Sequence, residues 1–187
     1  GSLAAVVDGK CVDTTMGLTP LEGVMMGTRS GDIDGGAVAF IQKKLGLDAD
    51  GISDLLNKKS GIAGLTGLSS DMRDIENAAN AGNERAQIAQ DSYFYRIKKY
   101  VGAYAAAMGG IDVLVFTAGV GENQTPMRED VCRGLEFMGI KIDAEKNAKI
   151  RGEEAIISTP DSRVKVVVIP TDEELMIASD TMALISK

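Results

Sequence analysis

The sequence contains no histidine. Within this chain that removes every mechanism resting on an imidazole, including a Ser-His-Asp triad and histidine-bound zinc. Cysteine is almost as scarce: Cys11 and Cys132 stand 121 positions apart and form no C-x-x-C pair. So distant a pair reads as two reduced thiols of a cytosolic protein rather than a disulfide. No apolar run reaches the roughly 18 residues that a membrane-spanning helix needs. The opening Gly-Ser-Leu-Ala-Ala-Val-Val lacks the basic start of a secretory signal. The expected location is the cytoplasm, with no membrane partner. An excess of positive charge is missing as well, since 20 basic and 27 acidic residues give a formal net charge of −7. A surface built on nucleic-acid phosphates needs the opposite balance, so nucleic acid is not an expected partner. A small anionic substrate needs only one or two focused arginines.

What is present is 187 residues, 44% hydrophobic and 25% charged. That composition supplies a sizeable core and rules out a largely disordered chain. Any chemistry must run on carboxylates, arginines, lysines, hydroxyls and backbone amides. There is no internal repeat and no low-complexity tract, so one domain over 1–187 is the simplest reading.

Local patterns predict the elements. Apolar residues 2–7, then Asp8-Gly9, then residues 10–14 spell a two-residue hairpin. Residues 16–36 carry six glycines and read as a long ordered loop, a type that commonly bears function. Helical spacing follows over 37–45, and Asp50 can cap a second helix running to 58. Residues 60–69 are again glycine-rich, and a short helix is expected over 72–79. The clearest helix covers 84–108, where Ala86, Ala89, Phe94, Ile97, Val101, Tyr104, Ala105 and Met108 form one apolar stripe. Residues 113–116 are continuously apolar, as in a strand covered on both faces. Residues 119–123 turn into a helix that Pro126 can open. A further strand over 164–169 and a closing helix to 185 complete a mixed α/β layer structure.

Two places share one construction: a strand, a polar turn, and a helix beginning at once. They are 116–123 and 169–174. Ligands of α/β sheets settle at such carboxyl ends of strands, where helix N-termini offer unpaired amides. The first, taken alone, reads more readily as a structural turn; it lacks the dinucleotide fingerprint, and no Walker A sequence occurs. Asp172, Glu173 and Glu174 either complement a helix dipole or aim a carboxylate at magnesium, a hard cation that keeps several waters. In the loop 26–34 (Met-Gly-Thr-Arg-Ser-Gly-Asp-Ile-Asp), Arg29 is flanked by small residues. It either meets an anionic phosphoryl group with its planar fork or pairs with Asp32 or Asp34 within the loop. Residues 70–74 are readable as an N-cap followed by solvated charges.

Taken together, these stretches resemble the acetate kinase family, within the superfamily of acetate and sugar kinases, heat-shock 70 proteins and actin. The matching segments are 12–23 (Val-Asp-Thr-Thr-Met-Gly-Leu-Thr-Pro-Leu-Glu-Gly), 26–34, 70–73 (Ser-Asp-Met-Arg), 115–123 (Val-Phe-Thr-Ala-Gly-Val-Gly-Glu-Asn) and 168–175 (Val-Ile-Pro-Thr-Asp-Glu-Glu-Leu). The resemblance spans essentially the whole chain. It implies an α/β, partial RNase H-like (actin-like ATPase) domain, a mixed sheet flanked by helices, with its first strand missing. It implies magnesium-dependent transfer of a phosphoryl group from ATP to acetate, giving acetyl phosphate and ADP, with manganese as an alternative metal. Arg29 resembles the transition-state arginine, and Asp71, Met72 and Arg73 an adenosine-binding triplet. Gly119, Val120, Gly121, Glu122 and Asn123 resemble the nucleotide loop, with Met127 and Arg128 walling the adenine. Glu173 resembles the magnesium-associated glutamate.

Gly35 stands where family members usually have proline, and Asp172 where they have asparagine. Family members also run to about twice this length. The resemblance therefore implies a C-terminal, nucleotide-binding fragment whose N-terminal half carries the remaining catalytic groups and the histidine. The fragment alone is expected to be inactive, and the family's homodimer is the expected assembly, with the helix over 84–108 contributing. A propionate or butyrate kinase is the alternative enzyme. A non-catalytic nucleotide-binding or interaction module is the alternative from another class.

Overall fold

The computed structural model describes residues 1–186. They divide into two compact units, one covering Gly1–Gly110 and the other beginning at Ile111.

The first unit opens with the expected hairpin. Asp8 and Gly9 have φ of 50° and 76°, the positive values its tight turn demands. They join antiparallel β1 (Ala4–Val7) to β2 (Lys10–Thr14). Residues 15–34 contain no helix or strand. Helix α1 (Gly35–Leu45) begins where the Asp34 carboxylate accepts from the Ala37 amide at 2.8 Å, two residues earlier than its spacing predicts. Helix α2 (Ala49–Lys58) corrects a cap: Asp48, not Asp50, accepts from Gly51, and Asp50 lies in the first turn. Residues 60–69 are not simply a loop. They contain α3 (Gly61–Thr66), whose Ile62 and Thr66 turn inward and are buried.

Helix α4 (Met72–Asn80) is followed by α5 (Glu84–Ala107), capped by Asn83 through the Ala86 amide at 3.0 Å. The predicted stripe on α5 is buried from Ala86 to Ala105, while Met108 lies half-buried past the helix end. That face packs on α3 and α4 and forms the unit's core with Val24, Leu56, Ile62 and Ile75. Each such buried aliphatic side chain stabilises by about 1.5–3 kcal/mol.

The second unit contains β3 (Val113–Phe116), α6 (Ala118–Asn123), α7 (Thr125–Cys132), a 3-10 turn (Glu136–Met138) and α8 (Ala144–Lys149). Then come β4 (Ala155–Ile156), β5 (Lys165–Val168) and α9 (Glu173–Ile185). The sheet order is β3-β5-β4, with β3 parallel and β4 antiparallel to β5, so it is mixed and flanked by helices as expected. Val164, Val166 and Val168 are fully buried on its inner face with Phe116 and Val131. Residues 119–123 are helical rather than a turn, since α6 starts at Ala118 with Thr117 alone between it and β3.

Full burial of β3 is not seen: Val113 and Val115 are 44% and 45% exposed. The strand lies at the edge of the sheet, and only one of its faces is covered among the described residues. The apolar side chains of α9, including Leu175, Ile177, Leu184 and Ile185, are exposed too.

Candidate functional site

The turn that carries Arg29 is fixed by backbone hydrogen bonds. The Met26 amide donates to the Arg29 carbonyl at 3.0 Å, and the Ser30 amide to the Leu56 carbonyl at 2.9 Å. The first amides of α3 have no partners within their own helix, and they find them here. Ile62 donates to the Met26 carbonyl at 3.0 Å and Ala63 to that of Gly27 at 2.8 Å. The Thr28 hydroxyl donates to the Asn57 carbonyl at 3.0 Å. The sequence supplies small residues on both sides of Arg29, and the ends of α2 and α3 supply the anchorage.

Both acids that could neutralise Arg29 from within its loop are engaged elsewhere. Asp34 caps α1. Asp32 accepts from the Gly23 amide at 2.8 Å, from Arg96 Nη1 at 3.1 Å and from the Tyr100 hydroxyl at 2.6 Å. Arg29 is half-buried and, among the described residues, has no carboxylate within ion-pair distance. It lines an open cavity of about 880 Å³ with Thr28, Asn57, Lys58 and Ser70. Lys58 in that cavity is paired with Asp54 at 2.7 Å. An unpaired guanidinium on a rigid turn is suited to an anion with several oxygens.

Asp71, immediately after Ser70, is the N-cap of α4 and accepts from the Arg73 amide at 2.9 Å. The exposed Arg73 side chain folds back onto the same carboxylate, with Nε at 3.0 Å from Oδ1 and Nη2 at 2.5 Å from Oδ2. Those side-chain bonds, then the backbone one, hold the Asp71 carboxyl down at about 2. Cap and ion pair thus coincide, with Met72 half-buried between them.

In the second unit, Ala118 adopts φ 57°, a left-handed conformation uncommon for a residue with a β-carbon. Thr171 braces it from the neighbouring turn. Its hydroxyl accepts from the Ala118 amide at 3.2 Å and shares a 2.8 Å hydrogen bond with the Thr117 hydroxyl. The Thr171 amide donates to Glu122 Oε1 at 2.8 Å, and Asn123 Nδ2 donates to the Gly119 carbonyl at 3.0 Å. Ala118, Gly119, Glu122 and Thr171, with the acids Asp172, Glu173 and Glu174, line an open cavity of about 460 Å³. Asp172 is taken up as the α9 cap through the Leu175 amide at 2.9 Å. Glu173 is exposed and forms no ion pair among the described residues. No three metal-ligating side chains cluster among the described residues. One available carboxylate beside an open cavity does fit a magnesium ion that keeps most of its waters.

Val120 is half-buried and Gly121 buried within α6. Met127 and Arg128 are 3% and 0% exposed. The Arg128 guanidinium donates to Asn147 Oδ1 at 2.8 Å and to the carbonyls of Gly121, Glu122 and Ile150 at 2.8, 2.7 and 2.6 Å. Burial, and secondarily the charge of Arg151, lowers it to about 10, still protonated at neutral pH. Whatever Arg128 offers a ligand therefore passes through α6.

Nothing in the local sequence marks Asn147, Arg96 or Tyr100 as part of a site, and Thr171 stands out only as a member of the 168–175 motif. The one local regularity is that Arg96 and Tyr100 stand four apart on α5, on a common face.

The family model described as the acetokinase family matches residues 1–179. Acetate kinase of Bacteroides thetaiotaomicron is 69% identical over 187 residues, which is 100% of this chain and 47% of that protein. The crystal structure of Porphyromonas gingivalis acetate kinase superposes with a TM-score of 0.95 at 60% identity, over 98% of this chain and 46% of that one. A propionate kinase from Francisella tularensis gives a TM-score of 0.87 at 42% identity, over 95% of this chain and 45% of its own. The chain spans about half the length of the relatives it matches.

Proposed function

The chain belongs to the acetokinase family, and from that premise we propose that residues 1–187 are the C-terminal, nucleotide-binding part of a longer two-domain kinase. The complete protein transfers the γ-phosphoryl group of ATP reversibly to acetate. An acetate oxygen forms the new bond to phosphorus as the bond to the bridging oxygen breaks, and that electron pair leaves with ADP. The observation that carries this reading is Arg29, held on a braced turn with no carboxylate partner among the described residues. Its fork meets the oxygens of the phosphoryl group as charge redistributes over them in transfer.

Asp71, Met72 and Arg73 contact the adenosine. Gly119, Val120, Gly121, Glu122 and Asn123 hold the nucleotide, with Met127 beside them and Arg128 bracing α6 from beneath. Glu173 would hold magnesium, or manganese, through one carboxylate. The bound ion would supply charge neutralisation on the polyphosphate. The acyl site and the remaining catalytic groups belong to the other half of the protein, so the 187-residue fragment alone turns nothing over. A cytoplasmic homodimer is the assembly proposed, and the exposed Ile88 and Tyr95 of α5 support a part for that helix.

Acetate is favoured over propionate because identity to an acetate kinase is 69% against 42% to a propionate kinase. Kinetics of the complete protein with acetate, propionate and butyrate test the choice. A higher kcat/KM for propionate or butyrate would replace acetate as the substrate. ADP binding without transfer to any of the three acids would instead identify a non-catalytic nucleotide-binding module.

A further inference from the structure

We propose that Arg96 and Tyr100 of α5 are positioning residues that occupy the Asp32 carboxylate and so leave Arg29 available to an anionic phosphoryl group. The inference rests on the phosphoryl-transfer reading above. Asp32 is the acid nearest to Arg29 in sequence, and Arg29 is the one cation in loop 15–34. Left to themselves, two such groups would pair, and an arginine neutralised in its own loop would lose its attraction for phosphate.

The fold prevents that from outside the loop. Arg96 and Tyr100 lie 64 and 68 positions further along the chain, yet both reach Asp32 Oδ2, at 3.1 and 2.6 Å. The other oxygen, Oδ1, accepts from the Gly23 amide at 2.8 Å, and the Asp32 amide donates in return to the Gly23 carbonyl at 2.9 Å. Spacing of four places Arg96 and Tyr100 on one face of α5. The helix is anchored by buried Tyr93, Ile97, Val101 and Tyr104 around them. Burial, and then the hydrogen bond to Asp32, pushes the Tyr100 phenol up to about 12, so it remains a donor at neutral pH. Arg96 balances the charge and Tyr100 fixes the carboxylate's orientation.

The test uses the complete protein with four variants: Arg96→Leu, Arg96→Gln, Arg96→Lys, and Arg96→Leu combined with Asp32→Asn. Thermal melts show which of them fold, and Arg96→Gln, neutral but still a donor, stands in should Arg96→Leu not fold. Loss of the charge at 96 should lower kcat about tenfold while the ATP KM stays within about twofold. Arg96→Lys should keep most of the rate, since neutralising Asp32 needs a charge rather than a fork. Adding Asp32→Asn should restore most of what Arg96→Leu lost, because no carboxylate remains to capture Arg29. A double variant that folds yet is no faster than Arg96→Leu overturns the proposal, and recovery of the melting temperature without recovery of kcat marks Arg96 as a support of the fold alone. Wild-type kcat in Arg96→Leu or Arg96→Gln overturns it too. Arg29→Ala, run in parallel, separates the two ideas. Full activity there defeats the phosphoryl-transfer role, whereas an inactive Arg29→Ala beside an unaffected Arg96→Leu defeats the positioning role alone.

Discussion

Gly61 packs directly against Arg29: a β-carbon at 61 would lie 2.7 Å from the Arg29 carbonyl oxygen, and closer still to that of Met26. Gly61 also has φ 63°, which side chains with a β-carbon rarely adopt. Both conditions follow from one fact, that the first turn of α3 is the floor on which the Arg29 turn rests. Gly61→Ala should therefore destabilise the protein by about 2 kcal/mol or more, combining backbone strain with a clash against backbone. Urea unfolding would show it, and an unchanged midpoint would mean that the two segments are not in close contact.

Arg29→Ala and Arg73→Ala should fail differently in the complete protein. On the proposed role Arg29 would meet charge that redistributes during transfer, so its loss should lower kcat by roughly 100-fold or more. Lysine there should rescue little, as a point charge does not reproduce the fork. Arg73 is assigned to the nucleoside in the proposed reading, and the nucleoside changes little along the reaction, so its loss should chiefly raise the ATP KM. Steady-state kinetics showing the reverse pattern would exchange the two roles.

Glu173→Gln should raise the magnesium concentration needed for half-maximal rate by about tenfold, with much of the rate recovered at saturating metal. Titration of activity with magnesium at fixed ATP measures this. An unchanged magnesium curve would leave Glu173 as a dipole-complementing residue of α9.

Arg128 is buried with its donors directed at Gly121, Glu122, Asn147 and Ile150. Arg128→Met would leave those acceptors without partners, each a group that is costly to bury unpaired. A loss of about 3 kcal/mol or more is expected, together with weaker ATP binding because α6 is no longer braced. Arg128→Lys should fall between. Wild-type melting of Arg128→Lys would show that the fork is not required.

Asp71 provides the pH test. Its carboxyl is depressed to about 2 in the folded protein by Arg73. A depressed carboxyl stabilises the fold above its unfolded value near 3.9 and loses that contribution as pH falls towards 2. A carbon-detected NMR titration should place the Asp71 midpoint near 2 and move it up towards the ordinary range in Arg73→Ala. A midpoint already in that range in the unaltered protein would show that the fork does not persist in solution.

The sequence by itself determined the features whose causes are local. Asp8-Gly9 specifies its hairpin because both residues accept positive φ. Asp34, Asp71, Asn83 and Asp172 act as caps three or fewer positions from the amides they bind. The α5 stripe follows from helical spacing alone, and the run of motifs identified the family. Local readings erred where two neighbouring acids competed for one cap, as at Asp48 and Asp50. They erred again at Val113 and Val115, where burial depends on what covers the sheet.

Tertiary structure alone decided the state of Arg29. From its neighbours, pairing with Asp32 or Asp34 is as reasonable as freedom. The answer came from Arg96 and Tyr100, more than sixty positions away, which no local periodicity couples to the loop. Arg128 is the same kind of case. Its charge suggests a surface, but Asn147 and the carbonyls of Gly121, Glu122 and Ile150 close around it. A side chain's partners are set by distance in space, and a sequence records only distance along the chain.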